Sequence, residues 1–350
     1  MIPSKKIKFG LIGCGRISAR HFEAMEALKD DIELVAVCDI KEERAEDAAK
    51  KYKTKNYRDY RAMLDKEVLD VVSVCAPNGL HAQMGIDIAK SQKHALMEKP
   101  LAINLKEARK LIKSFKERDQ KLFGVMQVRY NPPIVATKNI IQEKKLGKIY
   151  SGSLRMYWSR PQEYYDKDEW RGTKKMDGGS LLNQGIHYID ILQWLLGPAV
   201  SVFAKADTVA HRIEIEDIVT ALLTLENGAY VTVEFTVCAY PKNLECSITV
   251  LGEKGSVKLG GSAVNEIEVW EVKDLPMPVL PPGLPPNVYA GGLYQGSCPN
   301  HYFVYKDLVR TLKENKEVGV DGREAMKSLE IVEAIYRSAR ENREIFLPLK

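Results

Sequence analysis

The sequence has no CxxC pair, no histidine at zinc-ligand spacing from a cysteine, no block of like charge, and no apolar run near the roughly 18 residues that span a bilayer. Each absence removes a class of protein. The six cysteines, at 14, 38, 75, 238, 246 and 298, are scattered, and the first three sit in or beside apolar strand-like runs. That argues against structural zinc and against a disulfide framework, and no metal is expected. The 52 Lys+Arg and 47 Asp+Glu leave a net charge of only +5, dispersed in mixed runs. Such a balance speaks against nucleic acid as a partner but suits a small anionic ligand. The start, MIPSKKIKFGLIGCG, enters a strand with no signal-peptide h-region or cleavage site, so a soluble cytoplasmic protein with no membrane partner is expected. What is present is ordinary: 350 residues, 45% hydrophobic, enough for about two domains with sizeable cores. Disorder, collagen and coiled coil are excluded, and no internal repeat is found.

The first part alternates strands and helices. Ile7 to Ile12 is an apolar run broken at Gly13 and Gly15, after which Ile17, His21 and Met25 recur at helical spacing. Strands follow at Ile32 to Cys38, Val68 to Ala76, His94 to Met97 and Leu122 to Val128, with helices at Glu42 to Tyr52, Gln83 to Ser91 and Leu105 to Arg118. This alternation predicts a doubly wound α/β domain with a parallel sheet, assigned to residues 1–124.

The pattern changes over residues 125–350. Lys148 to Trp158, Val200 to Ala206, Ile218 to Leu225, Tyr230 to Val237 and Glu245 to Leu251 read as strands, with hairpin signals at Asn227-Gly228 and Glu253-Lys254-Gly255. Helices are expected only at Ile134 to Glu143, Ser180 to Leu196 and the C-terminal stretches from Tyr302 and Gly322, the last pair as candidates to pack on the first domain. An α+β domain with an open, mainly antiparallel sheet follows. Its uncovered face predicts assembly into a homotetramer or homodimer. Residues 275–299 hold seven of the 16 prolines, and are expected to form a surface loop or arm.

Three clusters carry chemistry. Gly13-Cys14-Gly15-Arg16-Ile17-Ser18 is a GxGxx(S) turn between strand and helix, and Asp39 ends the next strand. The first glycine permits the turn, the second admits a pyrophosphate, Ser18 is small enough to replace the third glycine, and the helix start offers free N–H groups. Asp39 suits ribose hydroxyls and repels a 2′-phosphate, which favours NAD over NADP, although Lys41 softens that repulsion. Pro77, Asn78, His81, Glu98 and Gln127 join these as cofactor candidates because they stand near predicted strand ends; His81 reads equally as a helix-start residue with no ligand. Lys99, in Glu98-Lys99-Pro100, is by position alone a solvated charge. Beside a nicotinamide cation it would instead lose proton affinity and serve as acid or base. In the third cluster, Asn183 and His187 are four apart on a predicted helix and share a face with Ser180 and Asp190, after Gly178-Gly179. This is either a satisfied buried histidine or the lining of a ligand site.

The turn GCGRIS, the EKP tripeptide and the helix GGSLLNQGIHYID, in this order and at these spacings, resemble the glucose-fructose oxidoreductase/inositol dehydrogenase/MocA family of NAD(P)-dependent sugar dehydrogenases. The resemblance covers essentially the whole chain. It implies a Rossmann domain, a C-terminal sheet that builds dimers or tetramers, and Lys99 and His187 flanking the oxidised carbinol. The common pattern has an aspartate where Asn183 stands, which puts a carboxylate relay through that position in doubt. A finer resemblance, carried by Tyr157 to Asp166, Trp170 to Thr173, Tyr240 to Glu245 and Asp321 to Glu324, is to the branch of UDP-N-acetyl-2-amino-2-deoxyglucuronate 3-dehydrogenases. It implies oxidation at C3 of a UDP-sugar for diaminosugar polysaccharide biosynthesis, with Arg160, Tyr164, Tyr165, Asn183 and Gln184 beside Lys99 and His187 at the substrate. Arg160 and Arg171 also read as ordinary surface partners of Glu163, Asp166, Asp168 or Glu169. Competing readings are the same oxidation of UDP-N-acetylglucosamine or of a free sugar or cyclitol, and a non-catalytic NAD-binding regulator.

Overall fold

The computed structural model describes residues 5–289 and 294–350. Contacts divide the chain into two compact units, Met1–Met126 with His301–Met326, and Gln127–Asn300 with Lys327–Lys350.

In the first unit β1 (Ile7–Ile12), α1 (Ser18–Ala27), β2 (Ile32–Cys38), α2 (Glu42–Tyr52), β3 (Lys55–Tyr57), α3 (Tyr60–Lys66), β4 (Val71–Val74), α4 (His81–Lys90), β5 (His94–Met97), α5 (Leu105–Lys116) and β6 (Leu122–Gly124) alternate. All pairings are parallel, in the order β3-β2-β1-β4-β5-β6. Such a sheet is covered on both faces, which is why β4 buries every residue and β5 all but His94. Asn104 starts α5 by accepting the Glu107 N–H at 2.9 Å, and its apolar stripe of Leu105, Ala108, Leu111 and Phe115 faces the core. The order reverses direction between β1 and β4, the place where such sheets open a crevice at the strands' carboxyl ends. Two elements were not expected from pattern, β3 and α3, and β4 is shorter than the run Val68 to Ala76, whose first residue is exposed.

The second unit contains α6 (Pro132–Gln142), β7 (Ile149–Tyr157), α7 (Gln162–Asp166), α8 (Ile186–Leu196), β8 (Ala199–Asp207), β9 (Ile218–Leu225), β10 (Tyr230–Thr236), β11 (Glu245–Gly252), β12 (Gly255–Gly260), β13 (Glu266–Val272), β14 (Val288–Tyr289) and β15 (Tyr294–Gln295). With β16 (Ile345–Phe346), eight of these strands form one sheet, β13-β12-β11-β7-β10-β9-β8-β16, antiparallel except for the β7–β10 pair. Asn227 makes the β9–β10 turn by accepting the Ala229 N–H, and Gly228 takes a φ of +84° there, open to glycine at little cost. Strict alternation sends Val219, Ala221, Leu223, Val231, Val233 and Phe235 inward. Phe203 and Leu222, cross-strand neighbours on the other face, stay 43% and 47% exposed.

Two expectations are corrected. The helix expected from Ser180 starts with a π-helical turn over Leu181–Gly185, before α8. The stretch 275–299 is not wholly a surface arm. Its first part is exposed, with Val279 fully so, but Asn287, Tyr294 and Cys298 are buried, held by long-range contacts that no local pattern encodes. Residues 290–293 of that stretch lie outside the described residues. The chain then returns to the first unit through α9 (His301–Lys313), where the Gly124 N–H donates to the Val320 carbonyl at 2.9 Å. Finally α10 (Gly322–Glu341) passes from the first unit into the second at Met326.

Candidate active site

At the carboxyl end of β1, Gly13 takes a φ of +94°, and a Cβ there would lie 2.6 Å from the Cys75 carbonyl oxygen. Only glycine fits. At Gly15 the reverse holds, since a Cβ would meet nothing nearer than Arg44 Nη1 at 3.9 Å. That open space is what close approach by a pyrophosphate needs. Ser18 Oγ donates to the Gly15 carbonyl at 2.6 Å, Arg16 is exposed on the turn, and Ile17 immediately precedes α1. No side chain caps α1 and no acid stands in its first turn, so its positive end is left for an anion. Asp39 is buried at the end of β2, where its Oδ2 accepts the Cys14 N–H and its Oδ1 the Lys41 N–H, both at 2.8 Å. Its remaining lone pairs suit ribose hydroxyls. Glycine turn, uncapped helix and acid fit a dinucleotide.

The loops after β4 and β5 hold the next group. Pro77 precedes a short 3₁₀ turn, Asn78–Leu80, in which Asn78 is buried. His81 has Nδ1 2.7 Å from the Pro100 carbonyl and Nε2 2.8 Å from the Ala76 carbonyl. With both nitrogens on backbone carbonyls, it ties the two loops together instead of presenting a nitrogen to a cofactor. Glu98 is buried, and burial alone would raise its carboxyl; hydrogen bonds from His21 at 3.0 Å and His301 at 3.1 Å outweigh this and hold it well below the usual range. The Lys99 N–H donates to Glu98 Oε2 at 3.1 Å, and the Lys99 side chain is half-buried. His21 and His301, missed as site residues from sequence, lie 77 and 203 positions from Glu98. These three side chains, like His211, Asp217 and Cys238, are close enough to hold an ion, although burial raises the Cys238 thiol and so disfavours the thiolate.

In the second unit the π turn and α8 carry Asn183, Gln184 and His187. A π turn carries one residue more than an α turn, so the even stripe expected of Ser180, Asn183, His187 and Asp190 is broken up. Asp190 instead takes both Nε and Nη2 of Arg129 at 2.6 Å in a buried ion pair, and Ser180 Oγ is 3.4 Å from the Tyr165 hydroxyl. Asn183 Nδ2 donates to the buried Asp177 Oδ1 at 2.6 Å, so a carboxylate stands behind the amide. Gln127 Nε2 is 3.4 Å from His187 Nε2 and 3.2 Å from Ser297 Oγ, which places this cofactor candidate beside the expected catalytic histidine. Arg171 pairs with Asp168 at 2.9 Å, the ordinary reading of that residue. Arg160 does not follow it. It is 3% exposed, donates from Nη1 to the Ser159 carbonyl and from Nη2 to Gln184 Oε1 and the Gln295 carbonyl, and lies against the Trp158, Tyr164 and Tyr294 rings. It makes no ion pair among the described residues, and its buried Nε has no partner there. Tyr164 and Tyr165 pack with Tyr294, and Gln184 Nε2 donates to the Tyr164 hydroxyl at 2.7 Å. The contributions of Gln295, Ser297 and Asp177 were not legible from motif or spacing.

No helix among the described residues is long and apolar enough to cross a membrane. Residues 7–125 match the GFO_IDH_MocA model described as oxidoreductase family, NAD-binding Rossmann fold, and residues 138–347 match its C-terminal alpha/beta domain. The chain is 38% identical to the WlbA dehydrogenase of Bordetella pertussis, solved with NADH and UDP-GlcNAcA, over 99% of this chain and 100% of that one, with a TM-score of 0.90. It is equally similar, at 38% and TM-score 0.90 over 100% and 98%, to the Chromobacterium violaceum WlbA complex with the same two ligands. A D-apiose dehydrogenase of Paraburkholderia graminis is 28% identical over 98% of this chain and 90% of its own. With both family domains matched and the dinucleotide turn in place, the chain belongs to the GFO/IDH/MocA oxidoreductase family as an NAD-dependent sugar dehydrogenase.

Proposed function

We propose that this enzyme oxidises the C3 hydroxyl of a UDP-linked N-acetylglucosaminuronic acid to the 3-keto sugar nucleotide. The observation that carries the reading is Arg160, a buried guanidinium with no carboxylate partner among the described residues, in a chain 38% identical to dehydrogenases solved with UDP-GlcNAcA. Burying an arginine without an anion is costly, and a ligand carboxylate or pyrophosphate at its free Nε offsets that cost. Tyr164 and Tyr165 frame the same contact, and Asn183, fixed by Asp177, and Gln184 orient sugar hydroxyls.

Bound NAD supplies the hydride acceptor. For the C3–H pair to leave as hydride, the C3 hydroxyl must give up its proton, and Lys99 and His187 are the residues assigned to hold it. Gln127, whose amide also donates to Ser297, orients the His187 ring. Cofactor contacts are assigned to Gly13, Gly15, Arg16, Ile17, Ser18, Asp39, Pro77 and Asn78. The exposed outer face with Phe203, Leu222 and Tyr230 supports assembly of a homodimer or homotetramer through the C-terminal sheet, and light scattering at micromolar concentration tests it.

A second reading, oxidation of a sugar without the C6 carboxylate or the nucleotide, is favoured by relatives such as the D-apiose dehydrogenase. A panel of UDP-N-acetylglucosaminuronate, UDP-N-acetylglucosamine and free sugars, read by NADH absorbance, separates the two. Turnover of the uronate at least tenfold above the others is expected. Faster turnover of any uncharged sugar overturns the first reading.

A further inference from the structure

The loop between β8 and β9 packs on the stretch that carries Arg160, and its anchor lies wholly inside the second unit. Asp217 is fully buried, and its Oδ1 accepts the Val209 N–H at 2.8 Å while its Oδ2 accepts the Ala210 and His211 N–H groups at 2.9 Å. Burial alone would raise this carboxyl, but those donors outweigh it and hold it below its usual range. Residues 209–211 are thus folded around one carboxylate, and they carry the His211 ring. Its Nδ1 is 3.0 Å from Asp217 Oδ2, and its Nε2 is 2.6 Å from the Arg160 carbonyl oxygen. At that shorter distance a hydrogen must lie between nitrogen and oxygen, and only Nε2 can supply it.

The Arg160 carbonyl needs such a donor because the chain has left the sheet there: β7 ends at Tyr157, and Arg160 is buried. A buried backbone carbonyl must be paired, and His211 pairs this one from 51 positions away. With the Arg160 N–H on the Val237 carbonyl at 2.9 Å, the residue's backbone is held on both sides. From that base the guanidinium reaches Gln184 Oε1 and the Gln295 carbonyl. The same loop braces the rest of the stretch. The Arg212 N–H donates to Gln162 Oε1 and the Glu214 N–H to the Gly172 carbonyl, both at 2.9 Å, and Ile213 packs on Tyr164, Tyr165 and Tyr294. We propose that His211 is a positioning residue for sugar selection: by holding the Arg160 carbonyl it sets where the guanidinium stands, and hence how strongly a C6 carboxylate is preferred. A binding group displaced by a fraction of an ångström loses much of its contact. This rests on Arg160 meeting the sugar's carboxylate.

Two conservative variants separate the ring's two contacts. In His211→Asn the amide takes the place of Nδ1 and still meets Asp217, but it is too short to reach Arg160. In His211→Gln the amide N–H takes the place of the Nε2 donor. KM and kcat for UDP-N-acetylglucosaminuronate and for UDP-N-acetylglucosamine are measured for both, in the full-length wild type and in Arg160→Ala. His211→Asn should raise KM for the uronate about fivefold, the size of one hydrogen bond, and leave kcat and the KM of the uncharged sugar within about twofold. His211→Gln should stay within about twofold of wild type throughout. In Arg160→Ala the asparagine should change KM less than about twofold, because the group it would misplace is gone. Equal loss toward both sugars, no rescue by glutamine, or the full loss persisting without Arg160 overturns the proposal, since a purely structural role acts in each of those ways. If His211→Asn fails to fold, His211→Leu is judged by the same measures. An Arg160→Ala enzyme with an unchanged preference between the sugars overturns the carboxylate reading and this proposal together, a result distinct from a failure confined to the His211 variants.

Discussion

The two units hold their candidate residues by different means. In the first, the residues arrive in short consecutive runs at the ends of successive parallel strands: 13–18 after β1, 39 after β2, 77–81 after β4 and 98–100 after β5. In the second, Gln127, Arg160, Asp177, His187, Gln295 and Ser297 come from separate stretches and meet through side-chain hydrogen bonds spanning up to 170 positions. The first kind of site is a property of the sheet's topology. The second is a property of packing, and it is free to vary with substrate while the sheet stays the same.

If that contrast is right, changes in the first unit should act on the cofactor and on the part of the chemistry assigned to Lys99, and changes in the second, His187 apart, on choice of sugar. The largest effect is expected from Lys99→Ala, which should lower kcat on the order of 10³-fold, within the usual contribution of a positioned acid or base, and leave the NAD dissociation constant within threefold. Stopped-flow absorbance at the NADH band reads the chemical step directly. A kcat near wild type would remove Lys99 from the proton-transfer role and break the comparison on its first side.

Arg160→Ala is next. A charge-assisted contact made equally in ground and transition states sets KM more than kcat. Its loss should therefore raise KM for the uronate on the order of 30-fold, the size of a hydrogen bond to a charged group, and leave UDP-N-acetylglucosamine almost unaffected. Parallel kinetics on both nucleotide sugars measure this. An unchanged preference between them would assign Arg160 to the pyrophosphate or to packing against Trp158 and Tyr294. Asp39→Ala is smaller again: NAD binding should weaken about tenfold relative to NADP, through loss of the ribose hydroxyl contacts and of repulsion toward a 2′-phosphate. Equal changes for the two cofactors would free Asp39 from the ribose.

Legibility from sequence followed the same division. The βα alternation, the GxGxx(S) turn and Asp39 could be read because strand period, glycine turns and strand-end position are local signals. The strands β7 to β11 were legible by alternation, and the Asn227-Gly228 hairpin by turn chemistry. By contrast, β12 and β13 were passed over, although Glu253-Lys254-Gly255 marked the turn before β12. The stretch 275–299 was read from its prolines as surface, yet Tyr294 and Gln295 reach the arginine and Ser297 reaches Gln127. His81 was read as a cofactor candidate or equally as a helix-start residue; it begins α4, but nothing local says that its two nitrogens meet the Ala76 and Pro100 carbonyls. Proline content reports what a backbone cannot form, not where it is pressed.

The smallest predicted effect sharpens the comparison at the start of the π turn. Glu216 accepts the Leu181 N–H and the Tyr336 hydroxyl, both at 2.7 Å, and burial pushes its carboxyl up to about 7, with those hydrogen bonds opposing and nearby Asp177 adding to the rise. A carboxyl whose folded value lies above its ordinary 4.5 stays protonated in the fold while the unfolded chain ionises. Stability is therefore undiminished below pH 4.5, falls as pH rises from 4.5 to about 7, and is lowest above that. Glu216→Gln stays neutral at every pH and keeps one acceptor for Leu181 and Tyr336. It should leave stability at pH 4.5 unchanged and raise it at pH 8 by about 1 kcal/mol, part of the full linkage because the amide must still be buried. Denaturant unfolding of wild type and variant at the two pH values measures the difference. A gain of equal size at both would mean that the Glu216 carboxyl titrates in the fold as it does in the unfolded chain and that the start of this helix carries no pH-dependent strain.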